Sequence, residues 1–217
     1  MTIKNLESFT REIEILESLF KNSFEQAGGK EHRFFHSVRV AQNCKKLADK
    51  ENISNKKLFI ISALFHDIGK AKRVESGGFL DGRQEVDKIK GSHEGYDLVL
   101  ELLNEHIGKF YSEQELKEAA SYISDISLKE SKLIKDADNL DEVGLVNIWK
   151  MFTYSGLNKV SIKETVDYYL KEDRGRLLKK IEEKMYFDSS KKIAKRRMEK
   201  VDEFLNDLKI ESFAEDF

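Results

Sequence analysis

The sequence contains no proline and a single cysteine. Proline breaks helix interiors by removing an N–H donor and crowding the preceding turn, so its absence leaves long helices unobstructed. The codon bias of a Lys-, Ile- and Asn-rich genome would give the same result. One cysteine, Cys44, excludes an internal disulfide framework and suits a reducing cytoplasm. Val40, Ala41, Leu47 and Ala48 flank it at helical spacing, which makes it a small buried hydrophobe rather than a nucleophile. An excess of charge of either sign is missing too. Lys and Arg number 38 against 40 Asp and Glu, a formal net charge of −2. A dedicated nucleic-acid binder would show a basic excess for its phosphate contacts. No stretch approaches the ~20 apolar residues that span a bilayer, and the acidic, amphipathic N-terminus lacks the apolar centre of a signal peptide. The expectation is a soluble cytoplasmic protein, monomer or homodimer, without membrane attachment or dedicated nucleic-acid binding.

Apolar material is ample: 40% of residues are hydrophobic, with 14 Phe. Leu6, Phe9, Ile13, Leu16 and Phe20 recur at steps of three and four, the mark of an amphipathic helix, and Gly28-Gly29 is its expected stop. A second helix is expected from near Glu31 to about Lys50, then a turn, with Ser54 as N-cap of the next. That next segment, LFIISALFHDIG, is apolar on every side, which suits a buried helix. Residues 75–87 turn polar and glycine-bearing and read as a long mobile loop, placed to serve as a lid. Helical patterns resume over 91–104, 113–124 and 128–136. A further helix holds Val143, Val146, Ile148 and Trp149, and a long amphipathic one carries Ile193, Met198, Val201, Leu205 and Leu208. Sustained period-two alternation is absent, so the economical reading is one all-α domain over 1–217.

Any one of the five histidines, His32, His36, His66, His93 and His106, reads first as a surface or satisfied core residue. His66 stands apart because it ends the most hydrophobic segment and Asp67 follows it directly. Burying a carboxylate is costly unless it is paired or bound to a metal, and the imidazole beside it offers a second ligand. Asp138 poses a similar problem. In LIKDADNLDEVGL, Asp136, Asp138 and Asp141 gather in an otherwise apolar segment, where they repel unless solvent or a cation screens them. The competing explanation is a helix N-terminus, where Asp caps amides and suits the dipole. With His36, these residues supply two imidazoles and two carboxylates, a donor set for Mn²⁺, Fe²⁺, Co²⁺, Ni²⁺ or Zn²⁺ rather than Ca²⁺. Their separations are too large for a local motif, so spacing alone does not join them.

The order His36, His66-Asp67, Asp138 resembles the H…HD…D signature of the HD superfamily of metal-dependent phosphohydrolases. FHSVRVA looks like its first-histidine helix, ALFHDIGK like its central motif and IKDADNLDEVG like its last-aspartate helix. That last stretch, with SSKKIAKRRMEKVDEFL, is similar to a subfamily of small standalone HD hydrolases that cleave nucleoside triphosphates to monophosphate and pyrophosphate. The resemblance runs from about His32 to Ile210. It implies a helical HD bundle with its metal-site core over about 30–150 and an extra helical region over about 151–217. It also implies one divalent ion held by His36, His66, Asp67 and Asp138, with Mn²⁺ first and Fe²⁺, Co²⁺, Ni²⁺, Zn²⁺ or Mg²⁺ as alternatives.

The chemistry so implied is attack of a metal-bound water on a small phosphate ester, a nucleotide in the leading reading. Asp67 would ligate the ion and orient or deprotonate the water. Lys70, where some nucleotidase relatives carry an acid, would meet the phosphate and offset transition-state charge. Arg73 would assist from the edge of the loop, unless it is plain surface charge. His93, in GSHEGYDLVLELL, resembles a histidine that some HD enzymes use for substrate or a second metal. His32 and His106 are left as structural or solvated residues. Related sequences often place a histidine near Ser124-Asp125, and here there is none. The alternatives are a phosphomonoesterase, a cyclic phosphodiesterase, and a non-catalytic nucleotide-sensing HD module, against which the intact ligand quartet counts.

Overall fold

The computed structural model describes residues 6–21, 24–25, 29–70 and 93–212. The chain divides into two compact units, Met1–Ala137 and Asp138–Phe217. Their described residues are almost entirely helical, as expected. None of the described helices is long and apolar enough to cross a membrane.

In the first unit, α1 (Thr10–Phe20) buries Ile13, Leu16 and Phe20, and Leu6 and Phe9 just before it are buried with them. It ends short of the expected stop at Gly28-Gly29. A two-residue antiparallel bridge, β1 (Phe24–Glu25) with β2 (Gly29–Lys30), leads into α2 (His32–Lys50). The inward face of α2 includes Val40, Ala41, Cys44, Leu47 and Ala48, so the cysteine is a core residue. Helix α3 (Lys56–Leu64) packs on α2 and is buried from Leu58 onward on all sides. Its N-cap is not Ser54 but Asn55, whose Oδ1 accepts from Leu58 N at 3.3 Å. Each large side chain wholly buried in this layer, such as Phe59, Ile61 or Leu64, contributes about 1.5–3 kcal/mol.

Helix α3 stops at Leu64, so His66 and Asp67 lie beyond it, in a turn that passes into a 3₁₀ turn at Ile68–Lys70. Helix α4 (His93–Ile107) packs against that 3₁₀ turn and against α5 (Glu113–Ser124), which Ser112 and Glu115 start with a capping box. Helix α6 (Lys129–Asp141) begins in the first unit, where Asn43 Nδ2 of α2 meets Ala137 O at 3.5 Å. Its range rules out the competing explanation: Asp136, Asp138 and Asp141 occupy its last turns, not a helix N-terminus.

In the second unit α6 ends, and Gly144 turns the chain at φ 101° into α7 (Leu145–Leu157). Ile148 of α7 is buried, whereas Val146 and Trp149 are exposed. Two helices that sequence periodicity did not reveal follow: α8 (Ile162–Tyr168), started by a Ser161–Glu164 capping box, and α9 (Arg174–Lys184). A π turn, Tyr169–Asp173, joins them and buries the Tyr169 ring. The long expected helix is α10 (Asp188–Ser212), with Met198, Val201 and Leu205 inward. Arg174 grips Asp202 of α10 through Nε and Nη2, at 2.9 and 2.8 Å.

Candidate metal centre

The turn after α3 makes the site. Phe65 gives its N–H to Ile61 O, and the His66 side chain then folds back until its Nδ1 lies 2.8 Å from Ala63 O. The last carbonyls of a helix lack backbone partners. A carbonyl only accepts, so Nδ1 carries a proton and donates it to Ala63 O, which leaves Nε2 on the side of the ring that faces the site. Metal-binding histidines are oriented in this way.

His36, on the buried face of α2, brings its Nε2 to 3.2 Å from His66 Nε2. Asp67 Oδ2 lies 3.6 Å from the first nitrogen and 3.7 Å from the second. Ligands at about 2.1 Å from one ion stand about 3.0 Å apart when octahedral neighbours and about 3.4 Å apart when tetrahedral. The triangle is close to both values, and its donors are the imidazole and carboxylate groups that divalent transition metals take. The three side chains therefore fit a divalent ion.

Two cations reach the same carboxylate oxygen. Lys70 Nζ lies 2.7 Å and Arg33 Nη1 2.6 Å from Asp67 Oδ2. Burial pushes the Asp67 carboxyl up, but the fields of His66, Lys70, Arg33 and His36 outweigh it and hold the group well below the usual carboxylate range. It is an anion at any ordinary pH, as a metal ligand must be.

Of the residues singled out from sequence, the structure brings together His36, His66, Asp67 and Lys70. Asp138 stands on α6 in the second unit, partly buried. His93 opens α4, its side chain outside the described residues, and Arg73 and the loop at 75–87 lie outside them altogether. His32 is buried with its ring centroid 6.1 Å from that of His36, and His106 is half-buried late in α4. Arg33 was missed. Its signal was its position on α2, three residues before His36 and so on nearly the same face.

The HD domain family matches residues 33–142, a stretch that contains all four expected ligands. The chain belongs to the HD-domain family. As a member it is a metal-dependent phosphohydrolase. Its fold is similar to that of Bacillus subtilis YpgQ, solved in complex with ADP, at 21% identity and a TM-score of 0.62 over 97% of each chain. An HD-superfamily hydrolase from Bacillus thuringiensis aligns at 21% identity and a TM-score of 0.63, over 96% of this chain and 98% of its own. A predicted HD-superfamily hydrolase from an uncultured Thermotogales bacterium aligns at 22% identity and 0.62, over 97% and 99%. No curated protein matches the chain.

Proposed function

We propose that this HD-domain hydrolase acts on nucleotides and cleaves a nucleoside triphosphate to monophosphate and pyrophosphate. The observation that carries the reading is the convergence of His36 Nε2, His66 Nε2 and Asp67 Oδ2 beside the Lys70 ammonium. Metal donors next to a fixed cation suit a phosphate ester, and the ADP bound to the similar YpgQ supports a nucleotide. Asp138 is the fourth ligand, on the strength of its place as the second Asp of DAD within the family's matched stretch. The proposed ion is Mn²⁺; when bound it supplies Lewis acidity to a phosphoryl oxygen and acidifies water.

The chain's own groups do the rest. Asp67 orients the attacking water by accepting its hydrogen bond. The water oxygen bonds to the α-phosphorus as the bond to the bridging oxygen breaks, pyrophosphate leaves with that electron pair, and the proton released by the water passes to solvent. Lys70, with Arg73, balances the charge that gathers on the leaving group. His93 takes part in binding the nucleotide.

Hydrolysis in ¹⁸O-labelled water tests this. The label should enter the nucleoside monophosphate and stay out of pyrophosphate. Inorganic phosphate released from a monophosphate, with triphosphates untouched, would mean a phosphomonoesterase. Absence of turnover on any phosphate ester by metal-loaded protein would leave a nucleotide-sensing module.

A further inference from the structure

The oxygen that faces the two imidazoles is also the oxygen that both cations hold. Asp67 Oδ2 receives Arg33 Nη1 at 2.6 Å and Lys70 Nζ at 2.7 Å, while the imidazole nitrogens stand at 3.6 and 3.7 Å, beyond hydrogen-bond reach. A carboxylate oxygen has two in-plane lone-pair positions. Two strong donors fill both, so an ion can take Oδ2 only if one donor gives way. Like charges around one oxygen also repel, which favours the same exchange.

The two cations differ in what they can do next. Lys70 sits three residues from Asp67 on one 3₁₀ turn whose backbone closes on itself, Lys70 N donating to Asp67 O at 2.9 Å. Its ammonium is tethered to that carboxylate. Arg33 comes from another helix, α2, and ends in a planar fork with five donors that matches phosphate oxygens two at a time. We infer that Arg33 is a phosphoryl-binding residue that trades Asp67 Oδ2 for substrate: an ion on Oδ2 takes one of the two lone-pair positions, and the Arg33 fork then turns to a phosphate. This deepens the proposed function and rests on it. The consequence is coupling, since ion and phosphoryl group each favour the arrangement that the other needs.

Calorimetry reads this directly. Mn²⁺ is titrated into wild-type chain, Arg33→Gln and Arg33→Lys with and without inorganic phosphate, and circular dichroism checks that each variant is folded. For wild type, phosphate should strengthen Mn²⁺ binding. Arg33→Gln should bind Mn²⁺ more tightly than wild type without phosphate, and its Mn²⁺-loaded form should bind phosphate about 10-fold or more weakly, the worth of one charged hydrogen bond. Arg33→Lys, which keeps charge but not the fork, should fall between. Arg33→Gln with weakened Mn²⁺ binding would make the residue a mere brace for Asp67 and overturn the inference, as would unchanged phosphate affinity. The underlying reading is tested apart from this by Asp67→Ala. If that variant loses Mn²⁺ while Arg33→Gln binds phosphate normally, only the Arg33 inference fails.

Discussion

Asp67 does three things at once: it completes the donor triangle, it is held as an anion by its neighbours, and it ties α2 to the turn after α3 through Arg33. Lys70 has a narrower task. Its Nζ reaches the carboxylate but is not a metal donor, so Lys70→Ala should keep the ion bound while turnover of phosphate esters falls by about 10²–10³, the usual cost of a preorganised electrostatic donor. Steady-state kinetics with metal content measured in parallel checks it, and unchanged kinetics with the ion in place would return Lys70 to the role of a structural ion-pair partner. His66-Asp67 was legible in the sequence because a carboxylate at the end of an apolar run demands a counter-charge. Arg33 was not, since an arginine on an amphipathic helix looks like surface charge until the turn it meets is known.

At the scale of elements, the apolar run foretold α3 but not where it would stop. The sequence pattern continues through His66 and Asp67, whereas the backbone breaks at Phe65 and His66 takes over the Ala63 carbonyl. Side-chain competition for a helix's last carbonyls leaves no trace in hydrophobic periodicity. At the other end, Asn55→Ala removes the cap on Leu58 N and should cost about 1 kcal/mol of unfolding free energy. Urea melts of the two proteins measure it, and equal midpoints would show the cap to be idle. The turn between α6 and α7 is more demanding. Gly144 has φ 101°, and a Cβ there would meet the Arg197 side chain at 3.2 Å. Arg197 Nη1 in turn donates to Leu140 O at the end of α6, the helix that carries Asp138. Gly144→Ala should therefore destabilise the protein by about 1–3 kcal/mol, and an unchanged urea midpoint would mean that this turn relaxes freely. Helices α8 and α9 escaped sequence reading because the π turn at Tyr169–Asp173 shifts the apolar period midway.

For the whole molecule, an ion that binds the folded chain and not the unfolded one must raise its stability. At a free Mn²⁺ concentration about 100 times Kd the gain is about 2.7 kcal/mol, or roughly 5–10 °C in Tm for a chain of this size. Adding a chelator should reverse it in thermal melts, and Asp67→Ala should show no shift in either direction. A shift of equal size in that variant would place the stabilising ion elsewhere. The all-helical class and the family were readable from sequence, because the helical period recurs through most of the chain and the H…HD…D order is intact. The division at Ala137 was not, since α6 runs through it without a break in pattern.

Elemental analysis of purified protein after exhaustive dialysis tests the ligand set most directly. Wild-type chain should keep a single divalent ion, and His36→Ala and Asp67→Ala should keep none and lose phosphate-ester turnover with it. An Asp67→Ala protein that holds stoichiometric metal and turns over at the full rate would contradict the assignment of the metal to this site.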